Sequence, residues 1–343
     1  MGEHAQGILS DLRDQLRAAK ASHTPLRIIG GDTKHRWWHT SASTILNLAA
    51  LRGIIAYEPT ELVITAFAGT PLHEIQAALA ERKQMLGFEP PETGPNSTFG
   101  GAVASGLAGP ARPYRGGVRD FVLGVRLLSF NDEPLRFGGQ VMKNVAGYDV
   151  SRMVAGAWGR LGPLTEISVR VIPIPEQTVS IAWPCTRDEA QQQMLAFGRR
   201  AWPISGLSFD GTLIRLRLAG AARAIEAVCA TLPGVATEDL ALWSAWRDFS
   251  HPYFSSARAL WRVSVPPAAK IAELDSKSLW DWGGALRWVD TALSAERVVS
   301  LTAKAGGFAR PWPPQAVTLA PALAALESRV RRVFDESSIF NPD

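Results

Sequence analysis

The chain has 343 residues, of which 46% are apolar and 20% charged, and a formal net charge of +4. That length predicts two domains, and that composition predicts ordinary globular folding. The arginines are scattered rather than striped, and no apolar run reaches the roughly 18 residues of a membrane span, so neither nucleic acid nor a membrane-embedded body is expected.

Residues 1–24 are polar and lack the apolar stretch of a signal peptide, which together with the spacing of Cys185 and Cys229 predicts a reducing, cytoplasmic location. Ser10 is placed to cap a helix reaching about Lys20, with Leu12, Leu16 and Ala19 on one face. Strands are expected at 26–29, 53–57 and 61–68, with Pro59-Thr60 turning between the last two. Thr70 and Pro71 read as cap and first residue of a helix striped by Leu72, Ile75 and Leu79. The small-residue block 98–109 reads as a short buried helix. After it, 121–130 reads as a strand, Asn131–Glu133 as a hairpin turn, and 134–137 as the return. Residues 150–157 read as helix and 164–172 as an alternating strand.

Pro173 and Pro175 mark the domain boundary, since proline stops a sheet ladder. Beyond it come strands near 178–183, 212–218, 260–265 and 284–289, and helices at 187–199, 221–231 and 267–275. This is an antiparallel α+β pattern. The character changes after Leu293, and the chain closes with an apolar helix at 322–334 and the tail SSIFNPD. Trp243, Trp246, Trp280 and Trp282 mark either a docking face or the core of this second part.

Three glycine-rich blocks carry the chemistry. In IIGGDTKH, 28–35, the amides around Gly30 and Gly31 can form an anion nest, with Thr33 adding a hydroxyl; a plain tight turn is the alternative. In TFGGAVASG, 98–106, the amides of Gly100 and Gly101 either point to a polar ligand or serve close packing. In KNVAGYD, 143–149, Lys143 and Asn144 offer donors to a heterocycle and Tyr148 a ring, while Asp149 is also placed to cap the helix at Ser151. Three such loops between apolar runs suggest one large polar ligand threaded along the main chain.

In this order the blocks resemble the FAD-binding domain of the vanillyl-alcohol oxidase/p-cresol methylhydroxylase (PCMH) superfamily. The stretch from Lys143 to Ile167 is similar to the pattern of its glycolate oxidase and D-lactate dehydrogenase flavoproteins. Together with 114–128, 260–266, 283–289 and 339–342, it looks closest to the smaller FAD-binding subunits of bacterial glycolate oxidases. The resemblance implies an α+β fold. A PCMH-type two-subdomain FAD-binding domain would span 1–174 and a cap with an antiparallel sheet 175–291, and residues 292–343 would return to the FAD domain. It places the pyrophosphate at Ile29, Gly30, Gly31, Asp32, Thr33 and Lys34. The rest of the FAD would lie along Thr93, Gly94, Thr98, Gly100, Gly101, Ala104, Ser105, Gly106, Arg112, Lys143, Asn144, Gly147, Tyr148, Gly156, Gly159, Gly162 and Ile167.

Larger catalytic relatives carry a histidine and glutamate metal cluster in the cap. Here five of six histidines precede residue 74 and His251 stands alone, so no metal is expected. His35 and His39 do not match the spacing for covalent flavin attachment, so the FAD is expected to be non-covalent. Arg119, Arg262 and Tyr148 are the catalytic candidates, with the guanidiniums suited to a carboxylate; for Arg119 an internal pair with Asp120 is the favoured alternative.

The resemblance implies glycolate oxidation to glyoxylate together with a larger flavin subunit and an iron–sulfur subunit, peripheral to the inner membrane face through those partners. The alternatives are a self-sufficient FAD-dependent oxidase or dehydrogenase of another hydroxy acid or alcohol, and a structural subunit without cofactor.

Overall fold

The computed structural model describes residues 3–38, 40–130, 134–139, 149–232, 236–257, 259–314 and 321–342. The chain divides into two compact units. The first holds 1–107, 117–174 and 316–343, and the second holds 108–116 and 175–315.

In the first unit the opening helix runs over Glu3–Ala21, so Ser10 lies inside it rather than at its cap. Leu12, Leu16 and Ala19 form its buried face and pack with Leu26, Leu46, Leu128, Ile339 and Phe340. Strand Leu26–Ile29 pairs in parallel with Thr44–Asn47, a strand too short and exposed to announce itself in the sequence. A parallel pair requires a crossover, and here that crossover, 30–43, carries the first glycine block.

A five-stranded antiparallel sheet forms the other part of this unit. Its order is Ile54–Glu58, Val63–Phe67, Leu164–Arg170, Val122–Leu127, Leu135–Gly138. The strand Leu164–Arg170 is covered on both faces, so even Thr165, Glu166 and Ser168 are buried. Thr65 and Ser168 answer this by sharing a 2.8 Å hydroxyl bond, and Arg126 pairs with Glu166 at 3.2 Å. Helix Leu72–Glu81 buries Leu72, Ile75 and Leu79, with Pro71 at the cap position. Thr70 lies one step earlier and is buried, its hydroxyl donating to the Phe67 carbonyl.

The helix expected over 150–157 is only a 3-10 turn, Val150–Arg152. The reason is in the backbone: Gly156, Trp158, Gly159 and Gly162 all have positive φ (88°, 52°, 77° and 120°), which no right-handed helix accommodates.

The second unit is built on an eight-stranded sheet. Its order is Ala236–Glu238, Gln177–Pro184, Leu213–Gly220, Ile204–Phe209, Ser278–Asp281, Leu286–Asp290, Leu260–Ser264, Phe308–Pro311, antiparallel at every pairing. Residues 292–314, expected to return to the first unit, belong here instead. Phe308–Pro311 extends the sheet beside Leu260–Ser264, and Val298 of helix Ala295–Lys304 joins the core of Val263, Ile271 and Val289. Trp243, Trp246, Trp280 and Trp282 are all buried, which makes them core and removes the docking-face reading. Gly206 sits at a bulge where an added Cβ would lie 2.6 Å from the Trp243 ring. The helix expected over 267–275 shrinks to Ala272–Asp275, and its last residue, Asp275, forms a buried ion pair with Arg287 at 2.7 Å.

Candidate functional site

The first unit contains a solvent-open cleft. One wall is the crossover after strand Leu26–Ile29, and Ile29, Gly30, Gly31, Asp32, Thr33 and Lys34 all line it. Among the described residues no main-chain carbonyl accepts from the amides of Gly30, Gly31, Asp32 or Thr33, which leaves a row of donors suited to an anion. The one carboxylate in this turn does not oppose that: Asp32 is gripped by Arg27 through two 2.6 Å bonds. Glycine is obligatory at position 31, because an added Cβ would lie 1.6 Å from the Asn96 carbonyl oxygen.

The facing wall is helix Phe99–Ser105 with its cap, and Thr98, Gly100, Gly101, Ala104 and Ser105 line the cleft. Of the two readings of the Gly100 and Gly101 amides, the hydrogen bonds agree with close packing. Gly100 N donates to Ala68 O at 2.7 Å, and Gly101 N donates to Thr98 Oγ1 at 3.1 Å. Gly100 permits close packing, since a Cβ there would meet the Ala68 carbonyl oxygen at 2.8 Å. Thr93 and Gly94 stand behind the first wall. Thr93 Oγ1 donates to Thr33 Oγ1 at 3.0 Å, and an added Cβ at Gly94 would meet the Thr33 side chain at 3.4 Å.

The third side comes from the segment after Val150–Arg152. Gly159 and Gly162 line the cleft, while Gly156 and Gly106 cross backbone to backbone, a Cβ on Gly106 falling 2.7 Å from Gly156 Cα. Lys143, Asn144, Gly147 and Tyr148 lie outside the described residues, as does His39. Asp149 does not cap through its side chain; it accepts from Ser151 Oγ at 3.1 Å and pairs with Arg152. Ile167 is fully buried in the central strand and is not part of the lining.

Among the lining residues outside the site expected from the sequence are Trp38, Trp158 and Asn341, although Trp158 falls in the 143–167 stretch and Asn341 in the 339–342 tail that carry the resemblance. Trp38 and Trp158 stack at 5.3 Å with planes 10° apart, and Asn341 comes from the far end of the chain. Asn341 is buried and bridges the walls: Ile28 N donates to its Oδ1 at 2.7 Å, and its Nδ2 donates to the Trp158 carbonyl at 2.6 Å. Only tertiary contact joins these positions.

Arg112 and Arg262 fall in the second unit. Both guanidiniums lie over the Trp282 ring, at 4.6 and 5.1 Å, and Arg262 also lies 6.0 Å from Trp288. Burial, and then the neighbouring charges of Arg112 and Arg310, bring the Arg262 pKa down to about 10, with Asp281 opposing. Arg119 is exposed in the first unit, and the Asp120 carboxylate accepts from Gly117 N at 2.8 Å rather than pairing with Arg119.

An FAD-binding domain family model matches residues 9–138, the stretch that carries two of the three cleft walls. The chain is 40% identical over 336 residues to glycolate oxidase subunit GlcE of Escherichia coli, covering 96% of this chain and 95% of that protein. The chain belongs to the family of FAD-binding glycolate oxidase subunits. A D-lactate dehydrogenase from Anaerostipes hadrus is 29% identical over 141 residues, covering 41% of this chain and 29% of that enzyme. A solved structure of alkyldihydroxyacetonephosphate synthase superposes with a TM-score of 0.67 at 12% identity, covering 97% of this chain and 74% of the other, which shows a shared fold. The α+β expectation and the FAD expectation both hold for this family. The cleft fits the cofactor: it presents glycines and other small residues, unmatched amides and a buried unmatched indole donor on Trp38.

Proposed function

We propose that this chain is the FAD-binding subunit of a glycolate oxidase, oxidising glycolate to glyoxylate within a complex that includes a larger flavin subunit and an iron–sulfur subunit. The observation that carries the reading is the 40% identity across nearly the whole length of GlcE. The similarity to glycolate oxidase subunit GlcD of Bacillus subtilis, 30% identical over 137 residues and covering 40% of this chain and 29% of that protein, supports kinship with a further glycolate oxidase subunit. Bound FAD supplies the acceptor for the two electrons released when a CH–OH carbon becomes a carbonyl.

The chain's own residues bind and orient that group. The Gly30–Thr33 amides receive the diphosphate, with Lys34, buried in the same turn, supplying positive charge. Thr98, Ala104 and Ser105 give a small-residue floor along which a flat ring system can lie. Non-covalent attachment is favoured because the spacing of His35 and His39 does not match that of covalent flavin attachment. In the second unit Arg262, flanked by Arg112 and Arg310, is the group chemically suited to a substrate carboxylate. Arg119 and Tyr148 remain further candidates for the substrate.

Among the described residues no helix is long and apolar enough to cross a membrane. A cytoplasmic subunit, peripheral to the membrane through its partners, accords with that.

The test is reconstitution. Glycolate oxidation is expected from the assembled three-subunit complex and not from this chain alone, and Gly31→Ala in this chain is expected to abolish it. Full activity from the isolated chain would overturn the partner requirement.

A further inference from the structure

A buried N–H without an acceptor is costly, so a native fold that retains one needs a reason for it. Among the described residues, five buried side-chain N–H groups belong to this class, and Trp38 Nε1 is the one carried by a residue lining the FAD cleft. Everything else about Trp38 is held firmly. Its ring stacks on Trp158, and the Arg160 guanidinium lies 5.3 Å from its centroid. Trp158 is itself pinned, with its amide donating to Ala104 O at 2.9 Å and its carbonyl accepting from Asn341 Nδ2 at 2.6 Å. It is pinned in a left-handed conformation, φ 52°, that a bulky residue adopts only when its surroundings enforce it. An aromatic ring fixed this tightly, with one unmatched donor, is arranged to present that donor to something.

We propose that Trp38 is a cofactor-contacting residue whose indole N–H donates to the ADP half of the bound dinucleotide, and that Asn341 is the positioning residue that sets the Trp158 platform beneath it. The inference rests on FAD binding in this cleft. The ADP half is assigned because Trp38 shares the lining segment with the Gly30–Thr33 amides and the Arg27-neutralised Asp32, the anion-receiving part of the wall. The indole donates and does not accept, so it is matched to phosphate oxygens, ribose oxygens or adenine nitrogens.

The experiment is calorimetric titration of apoprotein with FAD and, separately, with ADP, alongside thermal melting of the apoprotein. Trp38→Phe keeps an aromatic stack and deletes the donor. It is expected to weaken both ligands by the same factor, about tenfold or more, while the apoprotein melts no lower than the unsubstituted chain, because a buried unmatched group has gone. Asn341→Asp keeps the acceptor for Ile28 N and loses the donor to Trp158. It is expected to weaken ADP binding in the native background and to have little effect in the Trp38→Phe background, the non-additivity of residues acting through one another.

Unchanged affinities in Trp38→Phe would overturn the proposal. So would a loss for FAD but not ADP, which would put the donor at the flavin half. Loss of affinity in step with a fall in the apoprotein melting temperature would make Trp38 structural. If the unsubstituted apoprotein takes up neither FAD nor ADP, the cofactor reading itself fails, a result distinct from all of these.

Discussion

Asn341 holds Trp158 by its carbonyl, at 2.6 Å, across 183 residues of sequence. The same amide accepts from Ile28 N, and the tail around it is fastened to the first strand: Leu26 N donates to Ile339 O, Asn341 N to Leu26 O, and Thr40 Oγ1 to Pro342 O. Asp335 anchors the approach by accepting from Ile339 N and Phe340 N. The tail thus forms part of the frame of the cleft.

Asn341→Ala removes one donor and one acceptor and leaves two half-buried main-chain groups, Ile28 N and Trp158 O, without these partners. A loss of about 1–3 kcal/mol in apoprotein stability is expected, read as a lowered denaturation midpoint. An unchanged midpoint would mean the tail does not hold the walls together.

Glycines in this chain separate into those required and those tolerated. Gly31→Ala drives a Cβ against the Asn96 carbonyl, a main-chain atom that cannot swing aside. The expected cost is about 1–3 kcal/mol, with loss of FAD binding, because the turn and its neighbour must part. Gly7→Ala, in the exposed opening helix with nothing within 4 Å of the added carbon, is expected to stabilise by about 0.5–1 kcal/mol. Denaturant titration of both variants checks the contrast.

In the second unit Asp275 accepts from Arg287, which is fully buried, and from Ile271 N at 3.0 Å. Asp275→Ala strands the guanidinium and is expected to cost about 3–5 kcal/mol. Joint replacement, Asp275→Leu with Arg287→Met, is expected to recover much of that. A single variant that melts like the native chain would show the pair to be dispensable.

Acidification is expected to weaken the second unit in two stages. The His251 pKa is lowered by burial and by Arg215, against the pull of Asp210. The folded state therefore keeps the ring neutral while the unfolded chain takes up a proton, and stability falls as pH drops below 6.5, the ordinary value. Burial raises the Asp210 pKa, but bonds from Leu213 N, Thr212 N, Arg215 and the Thr212 hydroxyl prevail and leave it lowered. Its contribution is present above the ordinary 3.8 and is lost as pH falls through the depressed value. His251→Asn keeps an acceptor for Tyr253 N, so it is expected to remove the first stage and leave the second. Melting temperatures across the acid range test this.

What could be read from the sequence is what depends on local chemistry. Gly30 and Gly31 after an apolar strand and the small-residue block that begins at Thr98 each declare themselves within a few positions, and Thr98, Gly100, Gly101, Ala104 and Ser105 of that block reach the cleft. The helix expected over 150–157 misleads because its apolar spacing is helical, while the positive φ of Gly156, Trp158 and Gly159 is imposed by backbone crossings such as that with Gly106. Trp38 lies in no motif, and although Trp158 and Asn341 fall in stretches that carry the family resemblance, the contact between them arises only when separate segments meet. Strand Ile204–Phe209 is obscured by a central glycine that exists to admit Trp243.

The most direct measurement is the absorption spectrum of the chain purified under native conditions and supplied with FAD, followed by acid precipitation. A yellow protein that releases its flavin entirely into the supernatant is the predicted result. A colourless protein that takes up no FAD would contradict the account of the cleft, and flavin retained on the precipitate would contradict non-covalent binding.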